Sequence, residues 1–254
     1  MRFDFIGTGA ADWDWSNPAS RGSTCTLIDG RILIDAGPSV PAKMAAAGLS
    51  PAAVTDLFIT HSHPDHFNPE NIAAIAEQAA QTVRVYAAPQ ALGRIPASGK
   101  LEKHALKPGA TVQTDGISFR ALPSNHTVED IAEDTFHYLI RGERKRVLYA
   151  LDGAWICGRA KRMLEQERAP LDLVIWDATC GKKLCDWRFA EHNDLEMIRM
   201  LRAAMLKSGL ITDTTTHIFD HIARTLWPAD PRELSDLARE YDGIPAEDGM
   251  PFVL

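Results

Sequence analysis

Apolar positions along the chain fall in short runs of strand length, each closed by polar or glycine-containing punctuation. Runs over residues 2–6, 24–28, 32–34, 57–60 and 83–87 predict strands in the first part of the sequence. Runs over 117–122, 136–140, 147–151, 173–176 and 216–219 predict more in the second. Between them the apolar spacing lengthens to that of helices. Asn68 followed by Pro69 predicts a helix reaching about Ala80, with Asn68 as its cap and Pro69 at its first position. Asp230 and Pro231 repeat the device. Asn193, with Glu196 three residues on, predicts a capped start for the stripe Leu195, Ile198, Leu201, Ala204 and Met205, whose spacing offers one face to a sheet. No linker or break in composition divides the chain, so the expected organisation is a single α/β domain over 1–254 with sheet layers between helices.

Composition adds limits to this picture. With 45% hydrophobic and 24% charged residues, the chain can bury a full core without disulfide staples. The net charge of -7 and the lack of a long Lys/Arg run argue against nucleic acid as a partner and favour a small-molecule substrate. No signal-like leader and no run of eighteen apolar residues is present, which makes the expected location cytoplasmic, with no membrane partner. Four cysteines in a chain of this length suit a reducing compartment. Cys180 and Cys185 have the spacing of half a structural zinc site, but no second pair matches them, and buried or partly exposed thiols are the expectation.

One stretch concentrates chemistry. THSHPDHFN (residues 60–68) carries His61, His63, Asp65 and His66 where an apolar strand ends and before the Asn68 helix begins. Strand ends are where α/β proteins build sites. Neutral imidazoles and a carboxylate are ligands for zinc, manganese or iron, and four of them on one turn can serve two ions.

These four residues match the HxHxDH motif, and the chain resembles the metallo-β-lactamase superfamily of hydrolases. That resemblance implies a four-layer αββα sandwich and extends over most of the chain. Asp35 in ILIDAG resembles the early aspartate that orients ligands from behind the metals. His126 in LPSNHT resembles the third ligand of the first metal, and Asp152 in VLYALDG the carboxylate that bridges two metals. The last ligand is a late histidine near a strand end. The pattern of similar proteins puts His217 there, with His221 as the alternative, although Phe219 stands where relatives carry serine.

The implied cofactor is two divalent ions per chain, zinc or manganese first and iron as a third candidate, held by His61, His63, Asp65, His66, His126, Asp152 and His217. Asp65 is also expected to take part in catalysis. Within the superfamily, His192 in RFAEHNDLE resembles the histidine by which cyclic phosphodiesterases of phosphonate catabolism and tRNA 3′-end endonucleases protonate a leaving alkoxide. Either Glu191 or Asp177 would orient it. The turn IGTGAA (residues 6–11) and the terminal YDGIPAEDGMPFVL resemble the same branch, in which homodimers are common. The chain departs from that branch at DWDWSNPASRG (residues 12–22), where phosphonate-pathway enzymes carry a cysteine-rich zinc loop, and their substrate does not carry over. Trp13 and Trp15 in this loop either stack on a base or sugar or anchor the loop.

The resemblance leaves three activities to distinguish. The first is a phosphodiesterase for a small, cyclic or open phosphodiester. The second is a lactonase or thioesterase, for which His192 is dispensable. The third is a diiron redox or metal-dependent binding protein. β-Lactam hydrolysis belongs to secreted relatives. His104 and His137 have no role in this scheme and are expected at the surface or behind the ligands.

Overall fold

The computed structural model describes residues 1–128, 132–182 and 187–254. It divides into two compact units. Cys185 lies outside the described residues, while Cys180 is buried.

The first unit contains Met1–Lys107, Val128–Asp134 and Glu247–Val253. Its strands are β1 (Arg2–Gly7), β2 (Cys25–Ile28), β3 (Ile32–Ile34), β4 (Asp56–Phe58), β5 (Val83–Ala87), β6 (Leu101–Ala105) and β14 (Met250–Val253). They form one sheet in the order β14-β1-β2-β3-β4-β5-β6. From β14 to β3 the neighbours are antiparallel; from β3 to β6 they are parallel. Parallel neighbours need crossovers. Helix α2 (Pro69–Gln78) joins β4 to β5, and α3 (Pro89–Arg94) joins β5 to β6, while α1 (Val40–Ala46) lies between β3 and β4. Leu33, Leu57 and Val85 of the sheet pack with Met44 of α1, Ile72 and Ile75 of α2 and Leu92 of α3 in one buried cluster.

The second unit contains Pro108–Thr127 and Thr135–Ala246, with Leu254. Its strands are β7 (Thr111–Thr114), β8 (Ile117–Pro123), β9 (Phe136–Arg141), β10 (Arg146–Ala150), β11 (Leu173–Asp177), β12 (Thr216–Asp220) and β13 (Ile244–Pro245), in the order β13-β12-β11-β10-β9-β8-β7. Here β7 to β10 are antiparallel and β10 to β13 parallel. Helices α4 (Gly158–Leu164), α5 (Leu195–Lys207) and α6 (Pro231–Glu240) follow β10, β11 and β12. Leu148, Val174, Trp176 and Phe219 pack with Leu164, Ile198, Met205 and Leu234. The parallel strand β11 is buried at every position, as expected where both faces of a strand are covered.

The apolar runs locate ten of these strands. The edge strands β6, β7, β13 and β14 are not among them because they lack a continuous apolar face; Glu102 and Lys103 of β6 are exposed. Charged edges of this kind discourage pairing with another chain. Asn68 caps α2 by accepting from Asn71 N, and Asp230 caps α6. One cap is displaced from its expected position. Asp194, not Asn193, caps α5 by accepting from Met197 N at 2.7 Å. The Asn193 side chain turns inward instead.

Candidate metal centre

In the first unit the ligand-type residues gather beyond the ends of β3 and β4. Asp35 follows β3 with φ 64°, a left-handed conformation that Asp tolerates better than most residues and that turns its side chain off the strand line. Fully buried, it accepts from Thr60 N at 2.8 Å and Thr60 Oγ1 at 2.8 Å, and pairs with His66 Nδ1 at 2.8 Å. Burial pushes the Asp35 carboxyl up, and the charge and hydrogen bonds of His66 and Thr60 offset this only in part. Thr60 Oγ1 also meets His61 Nδ1 at 3.0 Å. His61 Nε2 then points at His63 Nδ1, 3.0 Å away, and His66 Nε2 lies 3.5 Å from Asp65 Oδ2. Both His66 N and Phe67 N bond to His63 O, which closes the turn. Gly37 permits it to lie close to β3: a Cβ there would stand 2.1 Å from Asp65 O.

In the second unit Asp152, Asp177, His192 and His221 form one set, all buried but the half-buried His192, each offering one ligand atom within 4.8 Å of the others. Asp177, at the end of β11, accepts from Thr179 N at 3.0 Å and Thr179 Oγ1 at 2.7 Å through Oδ1. Its Oδ2 meets His192 Nδ1 at 2.8 Å. Burial pushes the Asp177 carboxyl up, but the charge of His192, its hydrogen bond and His221 outweigh that and hold it below the usual carboxylate range. His221 places Nδ1 2.7 Å from Thr179 Oγ1 and Nε2 3.2 Å from Asp152 Oδ1. Asp152 and His221 have φ of 50° and 57°, so both leave their strands by the same left-handed step as Asp35. His126, just past β8, pairs through Nδ1 with Glu191 at 3.1 Å, and its ring lies 5.2 Å from that of His192.

The turn that carries Asp152 is gripped from several sides. Asn193 Nδ2 donates to Gly153 O at 3.0 Å and its Oδ1 accepts from Trp155 N at 2.7 Å, while Asn125 Nδ2 donates to Ala154 O at 3.0 Å. Gly153 leaves room for His137, since a Cβ there would stand 2.5 Å from His137 Nε2. Burial pushes that imidazole down to about 4. His137 is therefore a packed neighbour of this turn. His104 is partly exposed, stacks on Tyr86 and pairs with Glu102.

The donor atoms suit divalent ions. Two nitrogen ligands about 2.0–2.1 Å from one ion stand roughly 3 Å apart, which is the separation of His61 Nε2 from His63 Nδ1. Imidazoles and carboxylates held this close in a buried setting need a cation or shared protons between them.

The late histidine beside Asp152 is His221, which corrects the expectation of His217. Mid-strand on β12, His217 Nδ1 accepts from Trp176 Nε1 at 3.1 Å, and that lone pair is committed. Burial and the charge of Arg202 push the His217 ring down to about 3. The strand-end position that marked Asp35 and Asp152 points to His221, against the family spacing that points to His217. Of the two residues expected to orient His192, Asp177 bonds to it and Glu191 pairs with His126. Thr60, Thr179 and Asn193 in its inward role went unread, and their one signal was position next to a strand-end Asp or His. Trp13 is partly buried, and a Cβ at Gly9 would stand 2.7 Å from its Cδ1, the packing of a loop anchor. In the turn before His192, Trp187 and Phe189 are 82% and 50% exposed and stack at 5.9 Å.

A sequence profile of the beta-lactamase superfamily domain matches residues 30–208. Ribonuclease Z of Methanothermobacter thermautotrophicus is 28% identical over 145 residues, which make up 52% of this chain and 47% of the relative. The chain thus spans about half the length of the curated relative it matches. Among solved structures, the metallo-β-lactamase fold protein YhfI from Bacillus subtilis aligns with a TM-score of 0.75 at 13% identity, covering 99% of this chain and 98% of its own. Zn(2+)-bound PqqB from Methylobacterium extorquens aligns with a TM-score of 0.75 at 16% identity over 100% of both chains. At these identities the likeness gives the fold, the α/β class expected from the sequence.

Proposed function

The chain belongs to the beta-lactamase superfamily, and from that premise we propose that it is a metal-dependent phosphodiesterase acting on a small, cyclic or open phosphodiester. The proposed cofactor is a pair of divalent ions, zinc or manganese; the residues that would hold them are His61, His63, Asp65 and His66 on the turn of the first unit and His126, Asp152 and His221 in the second. Ions held there supply Lewis acidity toward a phosphoryl oxygen and lower the pKa of water.

The Asp177–His192 pair is the observation that carries the phosphodiesterase reading. An alkoxide leaving from phosphorus needs a proton, and an imidazole near its ordinary pKa is suited to deliver one at neutral pH. His192 Nδ1 donates to Asp177 at 2.8 Å, which fixes the ring and stabilises its charged form. The proton to be transferred is then the one on Nε2. Thr179 and Gly153 N, which donates to Asp177 Oδ2 at 3.2 Å, hold the carboxylate in place for this task. The match to a ribonuclease Z supports the same chemistry.

Parallel assays of the metal-loaded protein on phosphodiesters, lactones and thioesters, with elemental analysis, test the reading. The expected result is phosphodiester turnover with two ions per chain. His192→Ala should lower it by about 10²–10⁴-fold on alkyl leaving groups with the ions retained. Turnover of lactones or thioesters alone, unaffected by His192→Ala, would replace this reading with a carbonyl hydrolase. Two ions with neither activity would point to redox or binding.

A further inference from the structure

Each unit contains a buried aspartate with the same three kinds of partner, a threonine N–H, that threonine's hydroxyl and a histidine, divided differently between its two oxygens. Asp35 accepts from Thr60 N and Thr60 Oγ1 and pairs directly with His66 Nδ1, while Thr60 Oγ1 meets His61 Nδ1. Asp177 accepts from Thr179 N and Thr179 Oγ1 and pairs directly with His192 Nδ1, while Thr179 Oγ1 meets His221 Nδ1. One aspartate thus holds one histidine directly and a second through a threonine hydroxyl. Both threonines are buried.

The hydroxyl has one proton, and its position decides the state of the ring behind it. An ionised carboxylate can only accept, so it takes the threonine proton, at 2.8 Å from Thr60 and 2.7 Å from Thr179. The oxygen lone pairs then accept from imidazole Nδ1–H, at 3.0 Å from His61 and 2.7 Å from His221. A neutral imidazole protonated on Nδ1 keeps its lone pair on Nε2. In both residues Nε2 is the atom turned toward other ligand-type atoms, His63 Nδ1 for His61 and Asp152 Oδ1 for His221.

We propose that Thr60 and Thr179 are positioning residues, paired Asp–Thr–His relays that hold His61 and His221 in the tautomer that ligates through Nε2, one relay for each ion. This rests on the ligand assignment proposed above. A direct carboxylate contact would fix the ring as well, but both oxygens of each aspartate are already engaged, Oδ1 of Asp35 by Thr60 N and its Oδ2 by Thr60 Oγ1 and His66, Oδ1 of Asp177 by Thr179 and its Oδ2 by His192 and Gly153 N. The threonine hydroxyl extends the same control to a second histidine, and the β-branch restricts χ1 so that the hydroxyl stays aimed.

Thr60→Val and Thr179→Val remove the hydroxyl at nearly constant volume, and Thr60→Ser and Thr179→Ser restore it. The measurement is zinc content after dialysis against graded chelator, with the thermal midpoint of each metal-free form as a folding control. Each valine variant should lose affinity for one ion by about 10–100-fold, the usual cost of removing a partner behind a ligand, and keep the other. Serine should recover most of that affinity. Valine variants that keep both ions at wild-type affinity, or serine variants that fall as far as valine, would overturn the proposal. Should a valine variant fail to fold, the imidazole 15N spectrum of zinc-loaded wild type decides. A proton on Nδ1 of both His61 and His221 supports the relays, and a proton on Nε2 of either rules them out. Because the readout is ion binding, a protein that holds both ions and cleaves no phosphodiester separates failure of the substrate reading from failure of the relays. A wild type that takes up no zinc overturns the ligand assignment and the relays together.

Discussion

His217 and His221 lie four residues apart and are both buried, yet their surroundings commit them to different work. Trp176 Nε1 is a donor only, so His217 must stay neutral to accept from it. Its pKa is pushed from 6.5 to about 3 by burial and by Arg202. The folded state therefore refuses a proton that the unfolded chain accepts. The stabilisation is complete above about pH 6.5 and is lost as pH falls toward about 3, at up to about 1.4 kcal/mol per pH unit. His217→Gln, whose amide oxygen can still accept from Trp176, should retain both metal ions and lose less stability between pH 7 and pH 5 than wild type. Urea midpoints at the two pH values measure this. His221→Ala should instead lower the zinc content at neutral pH. The ligand types around residues 61–66 were legible in the sequence because four fell on one turn. The choice between His217 and His221 was not, because family spacing pointed to one and strand-end position to the other.

At the scale of elements, strand ends explain most of the second cluster. β10, β11 and β12 run parallel, so their C-terminal ends lie at the same edge of the sheet, and Asp152, Asp177 and His221 come from those ends. The sequence showed the apolar runs and the ends they reach. It did not show that Asn193, one residue before the α5 cap, binds the Asp152 turn. Capping residues and turn clamps are both Asn or Asp before a helix, and only the direction of the side chain separates them. Substitution does separate them. Asp194→Ala should cost about 1 kcal/mol in chemical denaturation and leave turnover near wild type. Asn193→Ala leaves two buried backbone groups, Gly153 O and Trp155 N, without their present partner, each at a cost of about 1–3 kcal/mol. It should also lower turnover, since Asp152 lies on that turn and His192 is the preceding residue.

For the whole molecule, a composition without breaks predicts one domain, and within the chain two compact units each contain one of the sheets. Composition does not distinguish the units because both alternate strands and helices with the same kinds of core residues. Among the described residues no helix is long and apolar enough to cross a membrane. Ions that bind the folded chain and not the unfolded one stabilise it by mass action, about 2.7 kcal/mol per site at a free concentration 100 times Kd. Chelation should therefore lower the thermal midpoint, and readdition of zinc or manganese should restore it. An unchanged midpoint in excess chelator would count against ions as part of the folded state.

The exposed ring of Trp187 also gives the molecule an optical property. Trp176 and Trp227 are sealed in the core, whereas Trp187 is 82% open to water five residues before His192. Fluorescence should therefore contain a blue component inaccessible to acrylamide and a red one that acrylamide quenches readily. Trp155, Trp13 and Trp15 share the red component, so a molecule that covers the turn from Trp187 to His192 would shield the part of it that Trp187→Phe removes and leave the blue one unchanged, and binding at this edge can be followed by emission without turnover.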